Sequence, residues 1–278
     1  MKALDLFCCE GGASMGLHQA GFEVTGVDIA PQPKYPFEFV NADAMLIPLS
    51  GFDFIWASPP CQGYSYLTPE HAKANYEKLI PALRKRLIES GIPYCIENVR
   101  GAKAELENPV MLCGSMFGIR TQRHRYFETS FPVKQPRKCD HTEIPLLVTT
   151  ASKASREKRF KLGMKPKSVD NAQAAYGINW MSFSGLREAI PPAYSKYIAE
   201  ALITQIEDES ILTRTIKMLQ RSYPMPEKVF IWEHEWHQLV KELEQWCKYN
   251  DVPGPLSKDC GYTNVLVMGI PIGIQEFV

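Results

Sequence analysis

A cysteine behind a double proline, in Ala57-Ser58-Pro59-Pro60-Cys61-Gln62-Gly63-Tyr64-Ser65, is where residue type and spacing in this chain most suggest chemistry. A thiol attacks as its thiolate, so nearby arginines and loop amides should depress the pKa of Cys61. About 35 residues later comes Glu97-Asn98-Val99, with a carboxyl able to give or take a proton. Further on lies Arg123-His124-Arg125. In a strand, alternate residues share a face, so the two arginines project together and His124 the other way. Paired arginines suit a phosphate or an electron-rich base. Each feature also has a plain structural reading: a buried cysteine at a turn, an acid at a strand end, a solvated charged edge.

Short apolar runs must position these groups. Phe52-Asp53-Phe54-Ile55-Trp56 reads as a buried strand, stopped by Pro59 and Pro60, whose ring nitrogens cannot donate to a sheet ladder. Cys61 then sits on a stiff loop at a strand's carboxyl end, where open α/β sheets place ligands. Upstream, residues 3–7 form a first strand. Cys8-Cys9-Glu10-Gly11-Gly12-Ala13-Ser14 is a glycine-bearing turn, Met15 to Ala20 begins a helix, and Glu23 to Asp28 is a second strand ending in an acid. That order is the nucleotide-binding half of a doubly wound sheet: glycines admit a ligand to the backbone, and the acid can hold a ribose hydroxyl. The glycines do not follow G-x-G-x-x-G, which argues against NAD, and a tight turn without a ligand is the competing reading.

A third strand, Phe37 to Asn41, leads to Asp43, and a fifth, Pro93 to Val99, carries Glu97. Parallel strands point one way, so Asp28, Asp43, Cys61 and Glu97 should share one edge. Residues 69–90 read as one helix, with Tyr76, Leu79, Ile80, Leu83, Leu87 and Ile88 on its apolar stripe. Lys78, Arg84, Lys85 and Arg86 are then its solvated face.

The 278 residues allow one large domain, or one with a small appendage. A hydrophobic content of 45% and a charged content of 22% are those of a globular protein. No apolar run approaches the roughly 20 residues that span a bilayer. The chain starts directly on a strand without a signal-peptide pattern, and a cytoplasmic, reducing location is expected. Eight scattered cysteines (Cys8, Cys9, Cys61, Cys95, Cys113, Cys139, Cys247 and Cys260) then make disulfides unexpected. The net charge is zero, so any basic face must be local. One is: between 132 and 168, ten lysines and arginines face only Asp140, Glu143 and Glu157. A phosphate backbone would leave that footprint, and so would a basic loop. Gly177 to Ile206 closes in a helix opened by Pro191-Pro192 and running to about Gln205. Residues 227–278 read as a strand (Val229 to Ile231), a helix (Glu233 to Tyr249) and two strands. Trp236, Leu239, Leu243 and Trp246 form a core or docking stripe on that helix.

Taken together, Phe7…Gly11-Gly12, Asp28, Asp43, Pro59-Pro60-Cys61-Gln62, Glu97-Asn98-Val99 and Arg123-x-Arg125 resemble the DNA (cytosine-5)-methyltransferase family, in the compact layout of phage and prophage members. The likeness covers residues 3–130 closely and 185–205 weakly. It implies a Rossmann-like, doubly wound, mainly parallel α/β sheet of the class I S-adenosylmethionine-dependent type. Residues 1–130 and 177–206 would form the catalytic domain and 131–176 a reduced, basic target-recognition region. Residues 207–226 would be a linker and 227–278 an α/β appendage offering a place for a protein partner, on a chain otherwise acting as a monomer. S-adenosyl-L-methionine would be the cofactor, cradled by Phe7, Glu10, Gly11, Gly12, Asp28, Ile29, Asp43, Ala44 and Pro59. Cys61 would be the nucleophile, with Glu97, Arg123 and Arg125 completing the catalytic set. Gln62, Ser65, Asn98, Arg123, Arg125, Lys158 and Arg159 would contact double-stranded DNA. Restriction-modification or phage-genome modification is the implied setting.

Four departures stand out. Cys9 replaces a family glycine and could crowd or shift the cofactor loop. Asp28 stands for the usual glutamate, and Thr121 for the expected glutamine. Ala189-Ile190-Pro191-Pro192 replaces the usual Gly-Asn-Ala-Val. Two alternatives stay open: the same chemistry on transfer RNA, whose related enzymes carry the same motifs, and a non-catalytic DNA-binding or decoy protein. No metal site is expected. Cys139 and His141 are weak candidates that Cys113 could join, but no paired second cluster matches structural-zinc spacing. His234 and His237 are three apart and do not make H-E-x-x-H.

Overall fold

A computed structural model describes residues 1–142, 169–208, 213, 229–232, 238–239, 241–242, 264–267 and 270–275. The chain divides into two compact units, Met1–Leu202 and Ile203–Val278.

The first unit is built on seven strands: β1 Lys2–Leu6, β2 Glu23–Asp28, β3 Glu38–Asn41, β4 Phe54–Ala57, β5 Tyr94–Asn98, β6 Val110–Leu112 and β7 Arg125–Thr129. They lie in the order β3-β2-β1-β4-β5-β7-β6. The first five run parallel to one another, while β7 runs antiparallel to both β5 and β6. The expected mainly parallel doubly wound sheet is what forms. Strands β4 and β5 are buried along their whole length, as continuous apolar runs in a sheet covered on both faces should be. One core packs Leu4, Leu6, Ile55 and Ile96 against Ile80, Leu83 and Leu87.

The helices are α1 Gly12–Gln19, α2 Glu70–Lys73, α3 Ile80–Ser90, α4 Val169–Tyr176, α5 Phe183–Glu188 and α6 Pro192–Asp208. Helix α1 begins at Gly12, three residues before the expected start. The single helix expected over 69–90 is two, because Pro81 fits the first turn of α3 but not the interior of a longer helix. Tyr76 therefore lies between helices.

Nor is the basic face of α3 all solvated. Arg84 grips buried Glu128 of β7 through Nε at 2.7 Å and Nη2 at 2.6 Å, and the carboxylate also accepts from the Glu107 N–H and the Tyr94 hydroxyl. Arg86 donates to the Ala44 carbonyl at 2.7 Å. Lys85 alone of the three keeps an exposed partner, Glu89.

Helix α6 continues to Asp208, past the residue where a linker was expected to begin. It lies close to α1. A Cβ on Gly16 would fall 2.1 Å from both the Pro192 carbonyl and Ser195 Oγ, and one on Gly12 would fall 2.6 Å from the Ile190 carbonyl. The second unit contains β8 Val229–Trp232, β9 Asn264–Val267 and β10 Ile270–Gln275, in the order β8-β10-β9. Strand β10 is parallel to β8 and antiparallel to β9. Trp236, Leu243 and Trp246 lie outside the described residues.

Breaking a buried, bidentate ion pair leaves its partner charged in a low-dielectric site. Arg84→Met is expected to lose about 3–5 kcal/mol of stability in urea unfolding followed by tryptophan fluorescence. Adding Glu128→Gln should recover part of that loss.

Candidate functional site

The strand order 3-2-1-4-5 reverses between β1 and β4, and the carboxyl ends of the parallel strands flank that switch point. Asp28 ends β2, Asp43 follows β3, Cys61 follows β4 and Glu97 lies one residue from the end of β5. The expected shared edge is therefore present. Strand β7 adds to it by running the other way: pairing Glu97 with Phe127 and Asn98 with Tyr126 makes its first residue, Arg125, arrive at the same edge.

The turn after β1 is sharply folded. Phe7, Cys9 and Gly11 all have positive φ, at 61°, 47° and 87°. Only Gly11 takes this conformation freely; for Phe7 and Cys9 the left-handed region costs on the order of 1–2 kcal/mol each. The family's glycine at position 9 thus has a physical reason. Cys9 accommodates the turn with its side chain exposed and its N–H donating to Asp28 Oδ2 at 3.0 Å. The Ala30 N–H donates to Asp28 Oδ1 at 2.9 Å. Asp28 is thereby aimed by two amides, each oxygen keeping acceptor capacity for a hydroxyl. Ile29 beside it is 74% exposed, an apolar surface at the mouth of the turn. Asp43 is held by the Met45 N–H at 2.8 Å, and Ala44 is buried under the Arg86 contact.

Several residues expected to meet a ligand are committed elsewhere. The Glu10 carboxylate accepts from the Ser182 N–H and hydroxyl, both at 2.6 Å, and the Glu10 carbonyl accepts from the Trp180 indole at 2.9 Å. Glu10 fastens the turn to the start of α5. Gly12 gives up its side chain to the backbone of Ile190. Asn98 is 1% exposed; its amide donates to the Pro59 carbonyl at 3.0 Å and its Oδ1 accepts from the Val99 N–H. It braces the Cys61 loop. Pro59 takes part in the site through that carbonyl.

The two arginines diverge. Arg125 Nε stands 3.1 Å from Glu97 Oε1 without an aligned hydrogen bond. Arg123 donates instead to the Arg187 and Glu188 carbonyls at the end of α5, both at 2.8 Å, and burial lowers its pKa. Its own carbonyl accepts from buried Tyr194 at 2.6 Å. The reason is that β7 begins only at Arg125, so Arg123 lies in the segment before the strand and reaches α5 rather than Glu97.

Glu97 is 5% exposed, and its pKa is raised by burial against the lowering effects of Arg125, Arg123 and a Ser58 hydrogen bond. Cys61 is half-buried. Its pKa is raised, first by burial and then by Glu97, although Arg125 and Arg123 lower it. The expected depression does not occur because desolvation outweighs the arginines. Beyond Cys61 the chain turns tightly, with the Tyr64 and Ser65 N–H groups both donating to the Cys61 carbonyl. Gln62 is exposed; Ser65 is half-buried and caps the Leu67 N–H. Lys158 and Arg159 lie outside the described residues.

Sequence reasoning missed Asp5. This buried carboxyl lies beneath the glycine turn, accepts from Ser14, and through it meets the Tyr35 hydroxyl at 2.7 Å from Ser14 Oγ. Burial pushes its pKa up to about 7. An acid inside the first strand was the available signal. It also missed His124 as a partner of Cys113, Cys139 and His141, the four placing one donor atom each within 4.8 Å of one another.

A model of the C-5 cytosine-specific DNA methylase family matches residues 1–223. No curated protein matches the chain. Among solved structures, the chain is similar to a protein described as a DNA modification methyltransferase, encoded within an E. coli prophage, at 15% identity and a TM-score of 0.48, covering 75% of this chain and 100% of that one. It is similar to the Entamoeba histolytica methyltransferase EhMeth at 11% identity and a TM-score of 0.48, covering 74% and 98%. It is also similar to the S. pombe Dnmt2 methyltransferase at 13% identity and a TM-score of 0.42, again covering 74% and 98%.

Two outcomes are expected. A carboxyl whose folded pKa is raised contributes stability that is complete below its unfolded pKa and is lost as pH rises through the folded value. Asp5→Asn should therefore remove a decline in unfolding free energy that wild type shows as pH rises through about 7. For Cys61, alkylation by iodoacetamide followed by peptide mass mapping should be slow at neutral pH and accelerate as pH rises. Glu97→Gln, which removes a negative neighbour, should speed it at fixed pH; Arg125→Met should slow it.

Proposed function

The chain belongs to the C-5 cytosine-specific DNA methylase family, and from that premise we propose that it transfers a methyl group from S-adenosylmethionine to C5 of cytosine in double-stranded DNA. The observation that carries this reading is the convergence of Cys61, Glu97 and Arg125 on the edge that also holds the Phe7–Gly11 turn and Asp28. The donor's sugar needs a carboxylate that accepts from hydroxyls, and Asp28, aimed by two amides, fits that need. Phe7, Gly11, Ile29, Asp43 and Ala44 would line the rest of the cofactor site, with Glu10 and Gly12 shaping it through their contacts to residues 182–190.

When bound, S-adenosylmethionine supplies an electrophilic methyl on a sulfonium. Cytosine C5 is too weak a nucleophile to take it unaided. Addition of the Cys61 thiolate to C6 would turn the ring into an enamine, whose C5 would then take the methyl, breaking the S–CH3 bond and releasing S-adenosylhomocysteine. Water removes the C5 proton, the C6–S bond breaks, and Cys61 is regenerated. Glu97 meets the N3 and N4 edge, and its raised pKa suits a carboxyl that shares a proton with N3. Protonating Glu97 has a second effect. It removes the negative charge that raises the Cys61 pKa while Arg125 and Arg123 continue to lower it, so the nucleophile is released when the base is engaged. In duplex DNA the target base must leave the stack to reach this recessed thiol.

Gln62 and Ser65, on the loop beyond Cys61, and the basic side chains of residues 131–176, Lys158 and Arg159 among them, would meet the DNA. Residues 207–226 would link to the 227–278 appendage. Methyl transfer from radiolabelled S-adenosylmethionine to mixed-sequence duplex DNA should yield 5-methylcytosine, and Cys61→Ala should abolish it. Label on transfer RNA in place of DNA would overturn the substrate and keep the chemistry. A folded protein that labels neither and binds no cofactor would overturn the whole reading.

A further inference from the structure

Strands β6 and β7 pair Leu112 with Arg125, so one residue beyond the ladder Cys113 faces His124. Residues 139–141 close over that pair. His141 Nε2 lies 3.3 Å from Cys113 Sγ and 3.3 Å from His124 Nε2, and the two imidazoles stack with centroids 5.0 Å apart. The four donor atoms of Cys113, His124, Cys139 and His141 fall within 4.8 Å of one another. We infer that these residues form a structural zinc site of the Cys2His2 kind, clamping the 137–142 segment onto the β6–β7 hairpin.

The spacing is what favours a metal over a hydrogen-bonded cluster. With Zn–N near 2.0–2.1 Å and Zn–S near 2.3 Å, a tetrahedron has edges of roughly 3.3 Å between nitrogens and roughly 3.6 Å between nitrogen and sulfur. The two observed edges fall close to those values, and two sulfurs with two imidazoles is the ligand set that selects zinc. Two thiolates and two neutral imidazoles also leave a neutral complex, which a partly buried site tolerates. Binding would release the two thiol protons.

The surroundings support the ligands. Ser115 Oγ donates to Cys113 Sγ at 3.4 Å and accepts from the Asp140 N–H at 3.1 Å. Gln122 donates to the His141 carbonyl at 3.4 Å. Arg137 holds the Ser115 and Met116 carbonyls at 2.8 and 2.9 Å. These contacts set the loop before the metal arrives, as outer partners of zinc ligands do. The spacing Cys113-x10-His124-x14-Cys139-x-His141 escapes motif reading because the first two ligands meet through strand pairing. His124 lies between Arg123 and Arg125, so the zinc would fix the start of β7 and the root of the basic stretch together.

The proposal stands apart from methyl transfer, and its readout is metal content. Protein purified under reducing conditions without chelator and equilibrated with zinc should carry one zinc per chain by mass spectrometry. Cobalt substitution should give tetrahedral ligand-field bands with thiolate charge transfer. Cys139→Ser and His141→Ala should each lose the stoichiometric metal, while Cys61→Ala should keep it. Folded wild-type protein that holds no zinc, a Cys113–Cys139 disulfide in its place, or zinc that persists in a combined Cys139→Ser and His141→Ala variant would each overturn the assignment.

Discussion

A carboxylate shut away from water has to be neutralised or paired, and Glu97 is 5% exposed at the end of a fully buried strand. Arg125 is what makes it tolerable, 3.1 Å away. That pairing requires β7 to run against β5, because only an antiparallel neighbour can begin at the edge where the parallel strands end. The reversal therefore does more than complete the sheet. It supplies the cation that works against the rise burial imposes on Glu97, and the same cation works against burial on Cys61. Because the pair is close but not hydrogen-bonded, Glu97 Oε1 keeps its acceptor capacity.

The edge is held closed by contacts spanning most of the unit's length. Glu10 binds Ser182, Arg123 binds the carbonyls of Arg187 and Glu188, Tyr194 binds the Arg123 carbonyl, and Ser195 binds the Ala13 carbonyl at 2.8 Å. Gly12 and Gly16 allow the approach by leaving no Cβ to collide with the backbone of α6 and its lead-in. Residues 180–195 thus serve as a brace for the turn and the arginine segment at once. The replaced Gly-Asn-Ala-Val stretch is here Ala189-Ile190-Pro191-Pro192, and its backbone carbonyls carry out the packing, which makes the change of side chains tolerable.

What was legible in the sequence follows from the range of the interactions concerned. The strand–turn–helix start, the Cys61 loop and the acids at strand ends are set by apolar runs and breakers within a few residues, so their placement could be read locally. Contacts with remote partners could not be read locally: Ser182 holds Glu10, the Pro59 carbonyl holds Asn98, and Arg84, expected to be solvated, meets Glu128 across 44 positions. The single helix expected over 69–90 divides for a local reason, since Pro81 belongs in a helix's first turn.

The Arg123-His124-Arg125 run shows why alternation alone could not assign roles. Alternation holds where a strand exists, and β7 exists only from Arg125 onward. Arg125 is fixed opposite Glu97 by the ladder, whereas Arg123 belongs to the approach and is drawn to the carbonyl end of α5, where a buried guanidinium finds acceptors without a carboxylate. His124, one residue before the ladder begins, meets Cys113 across the hairpin. One tripeptide is thereby divided among three environments: a brace, a thiol–imidazole cluster and a charge beside the candidate nucleophile. Loosening any one of them would shift the others, because they share a single length of backbone at the point where the sheet changes direction.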